Sequence, residues 1–289
     1  MYNINEIQDF KYITFPSFEK YDEIFHGFTT RAGGVSEGSF ASMNLGFSTG
    51  DNNENVRRNI EIMAEKLNLN VDDIVETHQT HTNNIMYVTE ENKKERGHTS
   101  TNGKPPKEGV KECPQIERTE RGQLKDIDGL YTDKKNLVLM SFHADCTPVF
   151  LYDPVKKVIG IVHAGWRGTI QNIAGVMVRA FIKDFNSEPK DIKAAIGPSL
   201  CKECFEVDED VKDLFVATDE SFMNFMETKG VKYHFNLWEI NKYLLLKEGL
   251  KEENIEISGI CTKCRNDLFF SHRGQGGKRG LMTGLLMMK

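Results

Sequence analysis

The chain has 289 residues, 39% of them hydrophobic and 10% aromatic, enough to bury a sizeable core and too ordinary a mixture for a disordered or low-complexity protein. Lys and Arg number 37 against 43 Asp and Glu, a net charge of −6, and no basic block is long enough for a polyanion stripe, so nucleic acid is not an expected partner. No apolar run approaches the roughly 20 residues of a membrane span, and Met1-Tyr2-Asn3-Ile4-Asn5 lacks the basic and apolar regions of a secretory signal, so a cytoplasmic protein away from membranes is expected.

In chain order, residues 51–69 predict an amphipathic helix, because Val56, Ile60, Met63 and Leu67 recur at three- and four-residue steps between Arg, Glu and Lys. Residues 84–88 predict a strand. Residues 91–125 are charged, contain a doubled proline, and offer only Val110, Cys113, Ile116 and Leu124 as apolar anchors; they read as a surface insertion. Residues 137–142, 149–152, 158–162 and 192–196 are short, rich in β-branched or aromatic residues and bounded by turn residues, which predicts strands. Residues 169–185 predict a helix through Ile170, Ile173, Met177, Phe181 and Phe185. A further helix at 237–247 packs through Trp238, Ile240, Leu244 and Leu245. Strands and helices thus alternate in the manner of a mixed-sheet α/β layered fold, here as a single domain over 1–289.

The chemistry concentrates in two blocks, His143-Ala144-Asp145-Cys146-Thr147-Pro148 and His163-Ala164-Gly165-Trp166-Arg167-Gly168, with Asp153-Pro154-Val155-Lys156 between them. A hairpin centred on Pro154 and Val155 sets Cys146 opposite His163. Opposed Cβ atoms lie about 4.5–5.5 Å apart, close enough for one metal ion to reach a thiolate and an imidazole, or for a Cys-His nucleophile pair. Thr77-His78-Gln79-Thr80-His81 offers another ligand. On a strand His78 and His81 face opposite ways, so one of the two is expected at the site. Two imidazoles and one thiolate leave zinc an open position, as in catalytic sites. Beyond His163, Gly165 and Gly168 lead into a helix whose start, with Arg167, forms an expected anion site.

These residues resemble the YfiH-like family, once described as laccase-like multicopper polyphenol oxidases and associated with purine nucleoside phosphorylase, adenosine deaminase and methylthioadenosine phosphorylase activities. The resemblance runs through His26-Gly27-Phe28-Thr29-Thr30-Arg31, Gly33-Gly34-Val35-Ser36, Asn44-Leu45-Gly46, Gln79-Thr80-His81 and Ala144-Asp145-Cys146. It continues in His163-Ala164-Gly165-Trp166-Arg167-Gly168, Ile196-Gly197-Pro198-Ser199 and Asp267-Leu268-Phe269-Phe270-Ser271-His272-Arg273. It implies an α/β/β/α sandwich with mixed sheets, zinc held by His81, Cys146 and His163, and purine nucleosides with phosphate as substrates. By family position Cys146, His163, Asp145 and Arg31 are expected catalytic residues, and Asn44, Arg167 and Arg273 are expected to bind substrate. The chain departs from the pattern in the 91–125 stretch and in Gly280-Leu281-Met282-Thr283-Gly284, where a Thr-Gly-Arg-Met-like ending is usual.

Three functions compete: a zinc enzyme on purine nucleosides, a metal-free hydrolase in which Cys146 attacks with His163 as base, and a non-catalytic metal or redox protein using copper. A bacterial branch of the family is linked to peptidoglycan-precursor editing, which adds an editing hydrolase as an alternative. Copper is the less favoured metal, since one thiolate with two or three imidazoles is too few for a multicopper array. Cys201/Cys204 and Cys261/Cys264 are Cys-x-x-Cys pairs, but the chain between Cys204 and Cys261 far exceeds zinc-ribbon spacing, so neighbouring buried thiols are expected instead. Gly274-Gln275-Gly276-Gly277-Lys278-Arg279-Gly280 lacks the Ser/Thr of a phosphate loop and reads as a basic turn.

Overall fold

Two sheets stacked face to face organise residues 2–93, 119 and 121–289, which the computed structural model describes. The chain opens with β1 (Asn3–Ile7), β2 (Phe10–Thr14) and β3 (Ile24–Thr29), followed by helix α1 (Asn53–Leu67), β4 (Ile74–His78) and β5 (Ile85–Tyr87). After residue 121 come β6 (Leu124–Lys125), β7 (Gly129–Thr132), β8 (Val138–His143), β9 (Thr147–Asp153) and β10 (Val158–Ala164). Helices α2 (Trp166–Ile170) and α3 (Ile173–Phe185) then lead to β11 (Lys193–Ile196). A smaller unit of β12 (Glu206–Val207), α4 (Glu209–Thr218), β13 (Met226–Lys229) and β14 (Lys232–Phe235) precedes α5 (Leu237–Lys247), β15 (Ile255–Ile257) and β16 (Met282–Met288).

The seven-stranded sheet runs β1-β2-β3-β16-β8-β4-β6 and the six-stranded sheet β15-β11-β9-β10-β7-β5, with β12-β14-β13 apart. Both large sheets are mixed: β4 is parallel to β8 while β16 is antiparallel to it, and β11 is parallel to β15 but antiparallel to β9. Alternation within each strand sorts side chains between layers. Phe150, Tyr152, Ile159 and Ile161 fill the space between the sheets with Leu139 and Leu286. Val149, Leu151, Val158 and Val162 face the other way, onto Ile173, Met177, Phe181 and Leu245 of α3 and α5. Val56, Ile60 and Met63 of α1 cover Ile74, Val138, Met140 and Leu285 on the outer face of the first sheet. Each such side chain, fully buried, contributes about 1.5–3 kcal/mol. The layers are therefore α/β/β/α with mixed sheets, as the resemblance implies.

The structure corrects four details. The helix expected at 169–185 begins earlier and is broken: α2 is a single short turn, and Asn172, in the left-handed region at φ 54°, starts α3 with its side chain accepting from Gly175 N at 3.0 Å. The β9–β10 hairpin pairs His163 with Pro148 and Ala164 with Thr147, two positions away from the expected register. Asp153 Oδ1 accepts from Val155 N and Lys156 N, and Lys157 takes φ 55°, which makes a longer turn than the Asp-Pro pair suggested. The shift is even, so Cys146 and His163 keep one face. Within 91–125, residues 94–118 and 120 lie outside the described residues. Leu124 is fully buried between the sheets and Thr77 pairs with it, so the far end of that stretch belongs to the framework. Finally, Cys201, Cys204, Cys261 and Cys264 are neighbours as expected, their sulfurs all within 4.8 Å of one another, but only Cys261 is buried and Cys264 is exposed.

Candidate active site

Three chain segments meet where β9, β10 and the loop after β4 end on the same side. Gln79 fixes that loop like a short strand: its Nε2 donates to Phe142 O at 3.0 Å and its Oε1 accepts from Phe142 N at 2.7 Å. His81 then sits in the left-handed region at φ 64°, which swings its ring inward. Its Nε2 is 3.7 Å from Cys146 Sγ, and its ring meets that of His163 edge to face at 4.9 Å. One ligand atom each from His81, Cys146 and His163 lies within 4.8 Å of the others. The structure thus brings together the three residues that the resemblance named. His78 ends β4 and lines the same cavity, without joining the cluster.

Asp128, just before β7, holds this arrangement and was not singled out in the sequence. Its Oδ1 accepts from His163 Nδ1 at 2.8 Å and His81 N at 3.1 Å. Its Oδ2 accepts from Thr80 N, Thr82 N and Thr82 Oγ1 at 3.2, 2.9 and 2.8 Å. Its carbonyl accepts from His163 N at 2.7 Å. A carboxylate on Nδ1 fixes the imidazole tautomer and turns Nε2 toward the cluster. The sequence signal was an Asp-Gly pair opening a strand, which reads as an ordinary turn. Gly165 completes the cradle: a Cβ there would stand 2.7 Å from His81 Cδ2 and 3.1 Å from Cys146 Sγ.

Electrostatics couple the cluster. Burial would raise the Cys146 thiol, but the charge and hydrogen bond of His163, with a smaller contribution from His81, bring it down to about 6. Burial would lower His163, yet the Cys146 thiolate and Asp128 push it up to about 9. Asp128 stays below the ordinary Asp range: desolvation opposes ionisation, and the His163 and Thr82 hydrogen bonds outweigh it. Each partner thus favours the charged form of the other, a thiolate beside an imidazolium. His143, pushed well down by burial and by the charge of His163, bonds Cys146 O and Ser141 Oγ from behind.

The cluster lies in a cavity of about 850 Å³, whose walls include Phe47, Phe142, Trp166 and Phe205 with the cations Arg121, Arg273 and Arg279. Arg279 Nε is buried with no hydrogen-bond partner among the described residues. Desolvation lowers its pKa, against the opposing pull of Asp145 and Cys146. Asp145 also lines the cavity, but its oxygens are engaged: Oδ1 accepts from Thr262 Oγ1 at 2.7 Å and Oδ2 from Arg273 N at 2.6 Å.

Three expected residues lie elsewhere. Arg167 is exposed and stacks on the Trp166 ring at 4.1 Å, outside the cavity lining, and α2 is too short to offer the anion site expected after His163. Arg31 donates to Ala41 O and Asn266 O and lies over Phe270. Asn44 is buried, and its Oδ1 accepts from Gly46 N and Leu281 N, so it shapes the wall that those residues form. Arg279, by contrast, falls in the stretch read as a basic turn, where no spacing rule marks it.

Residues 25–289 match the family model described as multi-copper polyphenol oxidoreductase laccase. Purine nucleoside phosphorylase YlmD of Bacillus subtilis is 37% identical over 92% of this chain and 89% of its own. Purine nucleoside phosphorylase of Bacteroides thetaiotaomicron is 31% identical over 99% of this chain and all of its own, 100%. Among solved structures, hypothetical protein YfiH of Bacillus licheniformis superposes with a TM-score of 0.83 at 34% identity, covering 99% of each chain. YlmD of Geobacillus stearothermophilus superposes with a TM-score of 0.83 at 32% identity, covering 99% of this chain and 98% of its own.

Proposed function

This chain belongs to the YfiH-like family of the multi-copper polyphenol oxidoreductase laccase model, and from that premise we propose that it is a zinc-dependent purine nucleoside phosphorylase. It cleaves the N-glycosidic bond of adenosine, inosine, guanosine and methylthioadenosine with phosphate, and deaminates adenosine hydrolytically in the same cavity. The observation that carries the reading is the His81–Cys146–His163 cluster at the base of an aromatic cavity bearing three arginines, alongside relatives that carry the phosphorylase name.

The donor set fits zinc. One thiolate and two imidazoles suit a borderline-soft ion, His163 keeps Nε2 for it by giving Nδ1 to Asp128, and only glycine at 165 leaves the ligands room. When bound, the ion supplies Lewis acidity and lowers the pKa of a coordinated water to about 7.

The chain's own residues do the rest. Phe47, Phe142 and Trp166 offer flat apolar walls to a purine. Arg279, whose buried Nε has no partner among the described residues, holds phosphate, aided by Arg273 and Arg121. Phosphate held there faces a ribose that becomes positive as the base departs, and fixed guanidinium groups keep the nucleophile in place. Asp145 positions Arg273 and Thr262, while Arg31 and Asn44 position the walls.

The test is base release from the four nucleosides, with and without phosphate, on zinc-loaded and metal-free protein. Phosphate-dependent release by the zinc form alone supports the reading. Release by metal-free protein favours the Cys146–His163 hydrolase, whose thiolate and imidazolium each favour the other's charged form. No nucleoside turnover returns the question to peptidoglycan-precursor editing.

A further inference from the structure

The four cysteines lie on residues separate from this cluster. Strand β11 runs parallel to β15, Ala194 beside Ile255 and Ile196 beside Ile257. The pairing persists beyond both strands to a parallel bridge between Ser199 and Cys261, with Ser199 N donating to Ile260 O at 3.1 Å and Thr262 N to Ser199 O at 3.0 Å. Two chain segments therefore leave the sheet side by side, and each enters a Cys-x-x-Cys turn. In the first turn Cys204 N and Phe205 N donate to Cys201 O at 3.0 and 2.9 Å. In the second, Arg265 N donates to Cys261 O at 2.9 Å and Cys264 N points at Cys261 Sγ at 3.5 Å. The second turn thus aims a backbone N–H at its own first sulfur.

All four sulfurs lie within 4.8 Å of one another, and Cys204 Sγ is 3.5 Å from Cys264 Sγ. Four sulfurs bound at 2.3 Å around one tetrahedral ion sit about 3.8 Å apart, so small side-chain adjustments close the shell. The sulfurs form one group, and each is a free thiol. We infer that Cys201, Cys204, Cys261 and Cys264 bind a second, structural zinc ion. Four thiolates select zinc over hard, oxygen-seeking cations, and a shell filled by protein leaves no open position for chemistry.

The ion would clamp the cavity wall from behind. Leu200 and Phe205, flanking the first turn, line the cavity. Leu200 N donates to Asp145 O at 3.2 Å, and Thr262, inside the second turn, donates to Asp145 Oδ1 at 2.7 Å. Joining the two turns ties Asp145 to both sides of one knot. Sequence spacing concealed the site because parallel pairing of β11 with β15, not chain proximity, brings the pairs together.

Metal content of the full chain, purified under reducing conditions without added metal, tests this. Wild-type protein should hold about two zinc ions, and Cys146→Ala and the double variant Cys204→Ser/Cys264→Ser about one each. The double variant should also melt at a lower temperature. If it fails to fold, wild-type protein decides: titration with a mercurial in the presence of a zinc indicator should release zinc as four thiols react, beyond that lost with Cys146. Overturning results are at most one zinc in the wild type, lost with Cys146, iron rather than zinc in the thiolate site, or disulfides in the alkylated denatured chain. Wild-type zinc that survives Cys146→Ala unchanged, yet falls in the double variant, would sink the active-site ligand set while upholding this one.

Discussion

Asp128 holds His163 by a 2.8 Å hydrogen bond from Nδ1 to Oδ1, and the same oxygen accepts the backbone N–H of His81. One carboxylate thus sets both imidazoles of the cluster. Asp128→Asn keeps the shape and removes the charge, so zinc affinity should fall by about 10–100-fold. Competition against a chelator of known affinity measures it; unchanged affinity would mean that the ligands orient without Asp128.

Gly165→Ala tests the cradle. The added methyl would stand 2.7 Å from His81 Cδ2 and 3.1 Å from Cys146 Sγ, closer than packed carbons tolerate, and His81, as the nearer ligand, is the one that yields. Zinc affinity should drop by at least about tenfold while the far-ultraviolet spectrum stays the same. Full zinc binding by the variant would show that the loop adapts freely.

Much of this site was legible because a hairpin is a local object. Cys146 and His163 were placed on one face even though the register was two positions off, since an even slip preserves the face of a strand. Asp128 was hidden because it reaches His163 from the residue before β7, beside a strand pairing of β7 with β10 that the sequence does not announce. The break between α2 and α3 depends on one left-handed Asn172, and periodicity alone runs straight through it. Leu124 looked like a stray anchor until its pairing with Thr77 closed the sheet edge. For the strands buried on both faces, β8 to β10, short apolar runs gave the element, while the layer came only with the resemblance.

Arg279 and Arg167 separate two accounts of phosphate. Arg279→Ala should lower phosphate-dependent base release on the order of 100-fold, raising the KM for phosphate, and leave adenosine deamination much less affected. Arg167→Ala should reduce phosphorolysis far less, because that exposed guanidinium stacks on Trp166 and does not line the cavity. The reverse ranking, in variants that retain zinc, would return the anion site to the start of α2.

Acid stability should carry the signature of His26. Burial pushes His26 down to about 4, and its Nε2 accepts from Phe15 N at 2.9 Å, so the folded protein keeps it neutral. The unfolded chain binds that proton from about pH 6.5 downward. Stability from this group is therefore complete above about pH 6.5 and lost as pH falls toward 4, by on the order of 3 kcal/mol. Denaturant unfolding of wild type and His26→Gln between these limits reads the difference, the variant showing the flatter pH dependence. Parallel curves would place the acid sensitivity elsewhere.

The most direct measurement is the rate of hypoxanthine release from inosine and phosphate by one preparation, before chelation, after it, and after zinc is restored. The cluster of His81, Cys146 and His163 predicts activity that disappears with the metal, returns with zinc, and requires phosphate throughout. Undiminished release by the metal-free protein, or recovery with copper alone, would contradict a zinc-dependent phosphorylase.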